Sequence, residues 1–398
     1  MIGLAEIQDA RARVAPIIRS TPIDRSDSLS RLVGRPILLK PEHLQRTGSF
    51  KIRGAYNRIS RIEGDVEVVA GSAGNHAQGV ALAASLTGHP STIFMPTNAP
   101  LPKMDATRAY GATVRLEGDV VDDCIASARE YAEETGAIYV PPFDDPYILA
   151  GQGTVGLELA EEAEEAEVVV VPVGGGGLIS GVATALAHTR RGVRVVGVEA
   201  AGAASMQAAI RAGRRVTLDR VATMADGIAV RSCSDLTLAH VQAYVDEVVT
   251  VTEEEISQAL LLCLERAKAV VEPAGAVGLA ALLAGKVGGT GPAVAVLSGG
   301  NVDPLLLIKL IDHGLTSAGR YLVLRIVISD TPGALAGVTR AVADMGLNVL
   351  DVEHHRSGRT LGLEEVEVLL TLETRNPGHR GQVVLDLTEA GFQVELVR

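Results

Sequence analysis

Apolar and polar positions alternate in two different ways along this chain. Between about Val66 and Asn301, short apolar runs are separated by longer stretches with helical spacing; the runs are "VEVVAG", "STIFMP", "ATVRLEG", "EVVVVPVGGGG", "VRVVGVEA" and "AVAVLSGGN". Runs of this length, bounded by glycine, proline or charge, predict strands buried on both faces. Strand then helix, repeated, predicts a mainly parallel sheet with helices on either side. Several strands pass directly into glycine-rich turns that open helices, after Gly71, Gly174 and Gly299. Ligands of open α/β sheets bind at the carboxyl ends of the strands, where backbone amides are available, so these three turns are expected to converge on one ligand. Upstream, "MIGLAEIQDARARVAPIIRS" places Glu6, Asp9, Arg11 and Arg13 among its apolar residues, as an amphipathic helix does and a secretory signal does not.

The pattern changes at "LIDHGLTSAGR", whose glycines and small polar residues predict a linker around Gly314 to Gly319. Beyond it, "YLVLRIVISD" reads as strand, "PGALAGVTRAVADMG" as helix, "NVLDVEHHR" and "LEEVEVLLTLET" as two strands, "HRGQVVLDLTEAG" as helix and "FQVELV" as a last strand. That βαββαβ order is the ferredoxin-like arrangement. Leu335, Val338 and Val342 share one face of its first helix and should pack on the sheet. The expected organisation is a region 1–315 with a smaller α/β subdomain at about 45–145, a linker at 316–320 and a C-terminal unit at 321–398.

Composition narrows the chemistry. A chain of 398 residues allows two or three cooperative units, and 47% hydrophobic residues with 3% aromatics and 43 glycines imply closely packed layers of small side chains. A net charge of -12 gives no footprint for nucleic acid or an anionic membrane surface, which leaves small solutes as the expected partners. No apolar run is long enough and free enough of charge to span a bilayer, and a cytoplasmic protein is expected. Cys124, Cys233 and Cys263 are odd in number and far apart, which fits reduced thiols and neither a disulfide framework nor a zinc site.

Lysine is scarce: six against thirty arginines, so Lys51 in "TGSFKIRGA" breaks the habit of the chain. An arbitrary lysine is a solvated surface charge, and only its context argues otherwise. "VVVVPVGGGGLISGV" delivers Gly174 to Gly177 to the start of a helix, where N–H groups and the helix dipole suit an anion; the glycines equally suit a structural tight turn. A dinucleotide fingerprint is excluded by spacing, because its third glycine falls on Ile179 or Ser180, and no Walker lysine follows. "GSAGNHAQG" offers the amides and short polar groups of Ser72 and Asn75, and "LSGGN" places Ser298 at a strand tip. Taken singly, His76 reads as a helix-start residue and Ser298 as structural.

Taken together, "EHLQRTGSFKIRGA", "SAGNHAQGVA", "FDDPYILAGQGTVGLEL", "PVGGGGLISG", "ADGIAV" and "LSGGN" resemble, over nearly the whole chain, the pyridoxal-phosphate enzymes of the tryptophan-synthase-β fold type. Within them the chain resembles the threonine/serine dehydratase (ammonia-lyase) branch. The resemblance implies pyridoxal 5'-phosphate as cofactor and Lys51 as the Schiff-base lysine and general base, with Phe50 beside the cofactor. It implies that Gly174, Gly175, Gly176, Gly177 and the amide of Leu178 hold the phosphate, that Asn75 meets the ring hydroxyl, and that Ser298 faces the pyridine nitrogen. The loop of Ser72, Ala73, Gly74, Asn75 and His76 is implied to receive the substrate carboxylate. Threonine would give 2-oxobutanoate and ammonia, and serine would give pyruvate.

Serine racemases of this fold resemble the same loop but carry a second serine where this chain has Ala73, which implies elimination in preference to racemisation. Some relatives build a divalent-cation site from a Glu and a following acid. This chain has Glu199 but places Ser205 near the acidic position, so no metal is expected and Glu199 reads as a strand-end surface acid. "DTPGALAGVTRAVADMGLNVLDVEHHR" resembles the regulatory ACT domain, which implies isoleucine or valine as effector and a homodimer or homotetramer. A serine or 3-hydroxyaspartate dehydratase, a serine racemase, and a silent amino-acid sensor are the competing readings; retention of Lys51, Asn75, the glycine turn and Ser298 argues against the last.

Overall fold

The segment Val168–Pro172 carries no polar side chain and is buried along its whole length, as expected of a strand covered on both faces. In the computed structural model, which describes residues 1–190, 192–356 and 362–397, it lies inside a six-stranded sheet. The order is Asp24–Arg25, Ile37–Lys40, Ala293–Val296, Val168–Pro172, Arg194–Ala200 and Glu247–Val251. All neighbours pair in parallel except the two-residue edge strand. A second, fully parallel sheet runs Thr113–Leu116, Ser91–Met95, Val68–Gly71 and Ile138–Tyr139. The chain divides into two compact units, residues 1–307 and 308–398.

Both sheets of the first unit are packed with small residues. The smaller sheet is covered by helices Asn75–Thr87 and Val121–Thr135, and helix Lys51–Ile59 packs against the former, with Ile52, Ala55, Ala77 and Val80 fully or almost fully buried in the same cluster. Close approach requires glycine: a Cβ on Gly79 would lie 3.2 Å from the backbone carbonyl carbon of Lys51. Helix Pro146–Glu162 starts at Asp145, whose carboxylate caps the amides of Tyr147 (2.7 Å) and Ile148 (3.0 Å). Four strands of this unit are absent from the sequence reading: the two-residue pieces Asp24–Arg25 and Ile138–Tyr139, and the longer Ile37–Lys40 and Glu247–Val251. Ile37–Lys40 is masked by Lys40, a charged residue that is fully buried because Glu158 (2.7 Å) and Glu162 (3.0 Å) neutralise it.

The second unit is antiparallel, ordered Val349–His355, Glu365–Glu373, Tyr321–Ser329 and Gln393–Leu396, with helices Ala334–Asp344 and Pro377–Glu389. Leu322, Leu324 and Ile326 alternate inward from the central strand, and Val338 and Val342 meet them, with Leu335 packed at the edge of the same cluster. This is the βαββαβ arrangement. The expected linker is different: Gly314 and Thr316 belong to helix Pro304–Ser317. One glycine inside a leucine-rich run costs only about 1 kcal/mol of helix propensity, so the helix continues until Gly319 turns left-handed at φ +68°.

Candidate active site

Gly174 to Gly177 leave the carboxyl end of strand Val168–Pro172 and enter helix Gly177–Thr189. Gly176 holds φ +90°, a conformation strained for any residue with a Cβ. Its neighbours are constrained by space. A Cβ on Gly174 would lie 2.9 Å from Ile228 Cα, and one on Gly177 would lie 2.9 Å from Phe143 Cβ. One on Gly175 would lie 2.5 Å from Phe143 Cγ and closer still to Cδ1 and Cε1. The turn is therefore bare backbone at a helix N-terminus, with the amide of buried Leu178 next in line, and its geometry suits a phosphate.

Phe143 connects this turn to Lys51. The preceding carbonyl, of Pro142, accepts a hydrogen bond from Lys51 Nζ at 2.9 Å. Lys51 is the first residue of its helix, behind Phe50, whose ring centroid is 5.2 Å from the amine. Burial pushes the Lys51 amine down to about 8, against the opposing attraction of Glu272. About one-tenth of such an amine is neutral at pH 7, roughly 300 times the fraction of an ordinary lysine. A neutral amine is the form that condenses with an aldehyde.

The other side of Lys51 is a polar floor. Helix Asn75–Thr87 begins at the end of strand Val68–Gly71, and Ser72 Oγ accepts from the amide of Gly74 at 3.2 Å. Asn75 Nδ2 donates to Glu272 Oε1 at 2.6 Å, and Asn75 Oδ1 accepts from Asn301 Nδ2 at 2.8 Å. Buried Ser298 lies next to this group, and its carbonyl accepts from the amide of Phe50 at 3.2 Å. Glu272 is itself buried; burial, then nearby Asp226, push its carboxyl up to about 7, against the Asn75 hydrogen bond and the charges of Lys103 and Lys51. The three glycine turns thus meet around one lysine.

Several residues take unexpected roles. The His76 ring is buried against the carbonyl of Val140 (2.9 Å), and burial, then Lys51, push it down to about 3, so it stays neutral and offers a substrate only its backbone. Glu199 is fully buried, which corrects its reading as a surface acid: its carboxylate accepts from the amides of Met206 (2.7 Å) and Gln207 (2.9 Å) and so caps helix Ser205–Ala212. Burial pushes it up to about 7, against those two hydrogen bonds. Arg53 was not singled out by sequence, yet it is fully buried and paired with Glu42 (2.8 Å) and Glu158 (2.6 Å), with Thr154 at 3.0 Å. Two residues after Lys51, it anchors the helix that carries the amine. Glu272 is a lone acid between Val271 and Pro273 in an apolar run, a sequence signal that points to the pocket without assigning a role.

The donor set fits pyridoxal phosphate. The turn offers amides for a phosphate, Lys51 a partly neutral amine for an aldehyde, Asn75 an N–H for a ring oxygen and Ser298 a hydroxyl for a ring nitrogen. Among the described residues no cluster of His, Cys, Asp and Glu is arranged to hold a metal ion, and no helix is long and apolar enough to cross a membrane.

Comparison with known proteins agrees with this geometry. The family described as pyridoxal-phosphate dependent enzyme matches residues 14–299, and the ACT domain family matches residues 322–384. The L-threonine ammonia-lyase of Thermotoga maritima is 46% identical, with all of both chains covered. A crystal structure of the T.th. threonine deaminase superposes with a TM-score of 0.73 at 41% identity, over 76% of this chain and 99% of that one. Maize serine racemase gives 0.72 at 37% identity, over 79% and 98%. The chain therefore belongs to the pyridoxal-phosphate dependent enzymes of the tryptophan-synthase-β fold type, and it carries an ACT domain at its C-terminal end.

Proposed function

We propose that this protein converts L-threonine to 2-oxobutanoate and ammonia, and L-serine to pyruvate and ammonia. The observation that carries the reading is the convergence on Lys51 of the glycine turn, the Asn75 floor and Ser298, in a chain similar along its full length to an L-threonine ammonia-lyase. Bound pyridoxal phosphate supplies the electron sink that makes an amino acid's α-proton removable.

The chain's own residues do the rest. Lys51 would hold the cofactor's aldehyde carbon through its Nζ, and once free that same nitrogen is the base placed to take the substrate's α-proton. Amides of Gly174 to Gly177 and Leu178 hold the phosphate, with Phe50 beside the ring. The hydroxyl of Ser298 would hold the ring nitrogen near neutral and make the bound group a weaker electron sink, which suits an elimination in which the β-hydroxyl takes up a proton and departs as water. Backbone amides of Ser72 to His76 receive the substrate carboxylate at the start of helix Asn75–Thr87. The released enamine hydrolyses to the oxo acid and ammonia.

Ala73 favours elimination over racemisation, since its methyl group cannot deliver a proton to the opposite face of the α-carbon. With L-serine, pyruvate should form faster than D-serine; a chiral assay showing faster interconversion of the enantiomers would overturn the choice. In this reading residues 1–315 form the catalytic region and 321–398 the ACT region of a cytoplasmic homodimer or homotetramer. Isoleucine or valine binds the ACT region and shifts the threonine saturation curve, because an effector that prefers one of two enzyme states changes the population of both. Light scattering and saturation curves with both amino acids check these points.

A further inference from the structure

Asn75 is held from two directions, and the hydrogen bonds determine which way its amide faces. Asn301 Nδ2 donates to the backbone carbonyl of Thr47 at 2.6 Å, and a carbonyl can only accept. The nitrogen of Asn301 is thereby identified, so its contact with Asn75 at 2.8 Å must be to the Asn75 oxygen. The Asn75 nitrogen then faces Glu272 Oε1 at 2.6 Å. Amide orientation is often ambiguous, but here a chain of bonds anchored on a main-chain acceptor settles it. An amide nitrogen carries two N–H groups; one goes to Glu272, and the second is what Asn75 offers an acceptor in the pocket.

The surroundings are shaped for this clamp. A Cβ on Gly299 would lie 2.9 Å from Asn75 Nδ2 and would overlap Glu272 Oε1, so the bond passes directly over a residue with no side chain. The backbone amide of Glu272 donates to the carbonyl of Gly299 at 3.0 Å, which fixes the carboxylate's own base. Charged groups around Glu272 are Lys51, Asp226 and Lys103, and Lys103 is paired with Asp226 at 2.5 Å, so its ammonium already has a partner.

We propose that Glu272 and Asn301 are positioning residues which clamp Asn75 from both sides, so that only an N–H donor, never the amide oxygen, faces the cofactor's ring oxygen. The inference rests on the reading that Asn75 meets that oxygen. A donor-only partner selects the ring oxygen in its acceptor form, whereas a freely turning amide would serve a hydroxyl and an oxyanion alike.

The test is a double-mutant cycle read by the dissociation constant of pyridoxal phosphate and by the visible absorption of the bound cofactor. Glu272→Ala and Asn75→Ala should each weaken cofactor binding by about 3- to 10-fold, the range of one lost hydrogen bond. The double variant should match Asn75→Ala alone, because Glu272 acts through Asn75. Glu272→Gln, which keeps an acceptor oxygen, should bind within about 2-fold of the parent, whereas equal weakening in Gln and Ala would sink the clamp. Should Glu272→Ala fail to fold, Asn301→Ala closes the same cycle from the other side. A Glu272→Ala loss of undiminished size in the Asn75→Ala background overturns the clamp alone. A parent protein that binds no cofactor, or an Asn75→Ala variant that binds it as the parent does, overturns the functional reading and the clamp with it.

Discussion

Gly175→Ala is the substitution that most directly links the phosphate turn to the lysine. The added Cβ would sit 2.5 Å from Phe143 Cγ and nearer still to two further ring carbons, where relaxed carbon contacts lie at about 3.5–4.0 Å. Phe143 has little room to retreat. Its own Cβ already closes on Gly177, the Pro142 carbonyl before it takes the Lys51 amine, and Asp145 after it caps helix Pro146–Glu162. Overpacking of this kind costs about 1–3 kcal/mol. At about 2–4 °C per kcal/mol, Tm of the cofactor-free protein should fall by several degrees. Moving the loop also moves the acceptor of Lys51 and crowds the amides meant for phosphate. The dissociation constant for pyridoxal phosphate should therefore rise by more than the stability loss explains. Calorimetry of the cofactor-free protein and equilibrium dialysis with cofactor measure the two effects. In a Phe143→Ala background the Tm penalty of Gly175→Ala should largely disappear. An unchanged Tm and unchanged cofactor affinity would refute the reasoning, and a penalty that persists without the Phe143 ring would refute its cause.

Arg53→Met should destabilise the protein by about 3–5 kcal/mol, because it strands the buried carboxylate of Glu42, whereas Glu158 keeps Lys40 at 2.7 Å; adding Glu42→Gln should recover part of that in denaturant titrations. Burial pushes the Glu42 carboxyl up, but Arg53, Thr21 and Lys40 outweigh it and hold it below the usual range. Glu199 titrates in the opposite sense. Its folded value of about 7 lies above 4.5, so the folded state binds the proton more tightly, and its contribution is full below 4.5 and lost as pH rises through 7. Glu199→Gln should make the decline in stability between pH 5 and 8 smaller by up to about 3 kcal/mol, as followed by melts across that range.

What the sequence showed best were features whose cause is local. Strands ending in glycine turns, and the alternation of Tyr321–Ser329, are legible because residue period and turn chemistry act over a few residues. Glycines at the phosphate turn announce bare backbone whatever surrounds them. What the sequence hid were charges whose partners lie far along the chain. Lys40 interrupts an apolar run and looks like the end of a surface segment, until Glu158 and Glu162 arrive more than a hundred residues later. Arg53 is hidden in the same way, among arginines that are mostly on the surface, whereas the motif around Glu272 points to the pocket and leaves only its role open. The linker is shorter than expected for a different reason: one glycine and two small polar residues do not stop a helix that the leucines of Pro304–Ser317 favour, so only 318–320 join it to the next strand.

The central claim is that Lys51, in the cofactor-loaded protein, serves a β-elimination of water from threonine whose enamine product takes water back up and releases ammonia, so that ammonia alone is lost overall. The direct measurement is the yield of 2-oxobutanoate and ammonia from L-threonine by the holoenzyme, beside Lys51→Ala loaded under the same conditions. Equal yields of the two products from the parent, and roughly 10³-fold less from the variant, are expected, consistent with general-base and nucleophilic roles in one residue. Undiminished product from Lys51→Ala, or no 2-oxobutanoate from the cofactor-loaded parent, would contradict the account.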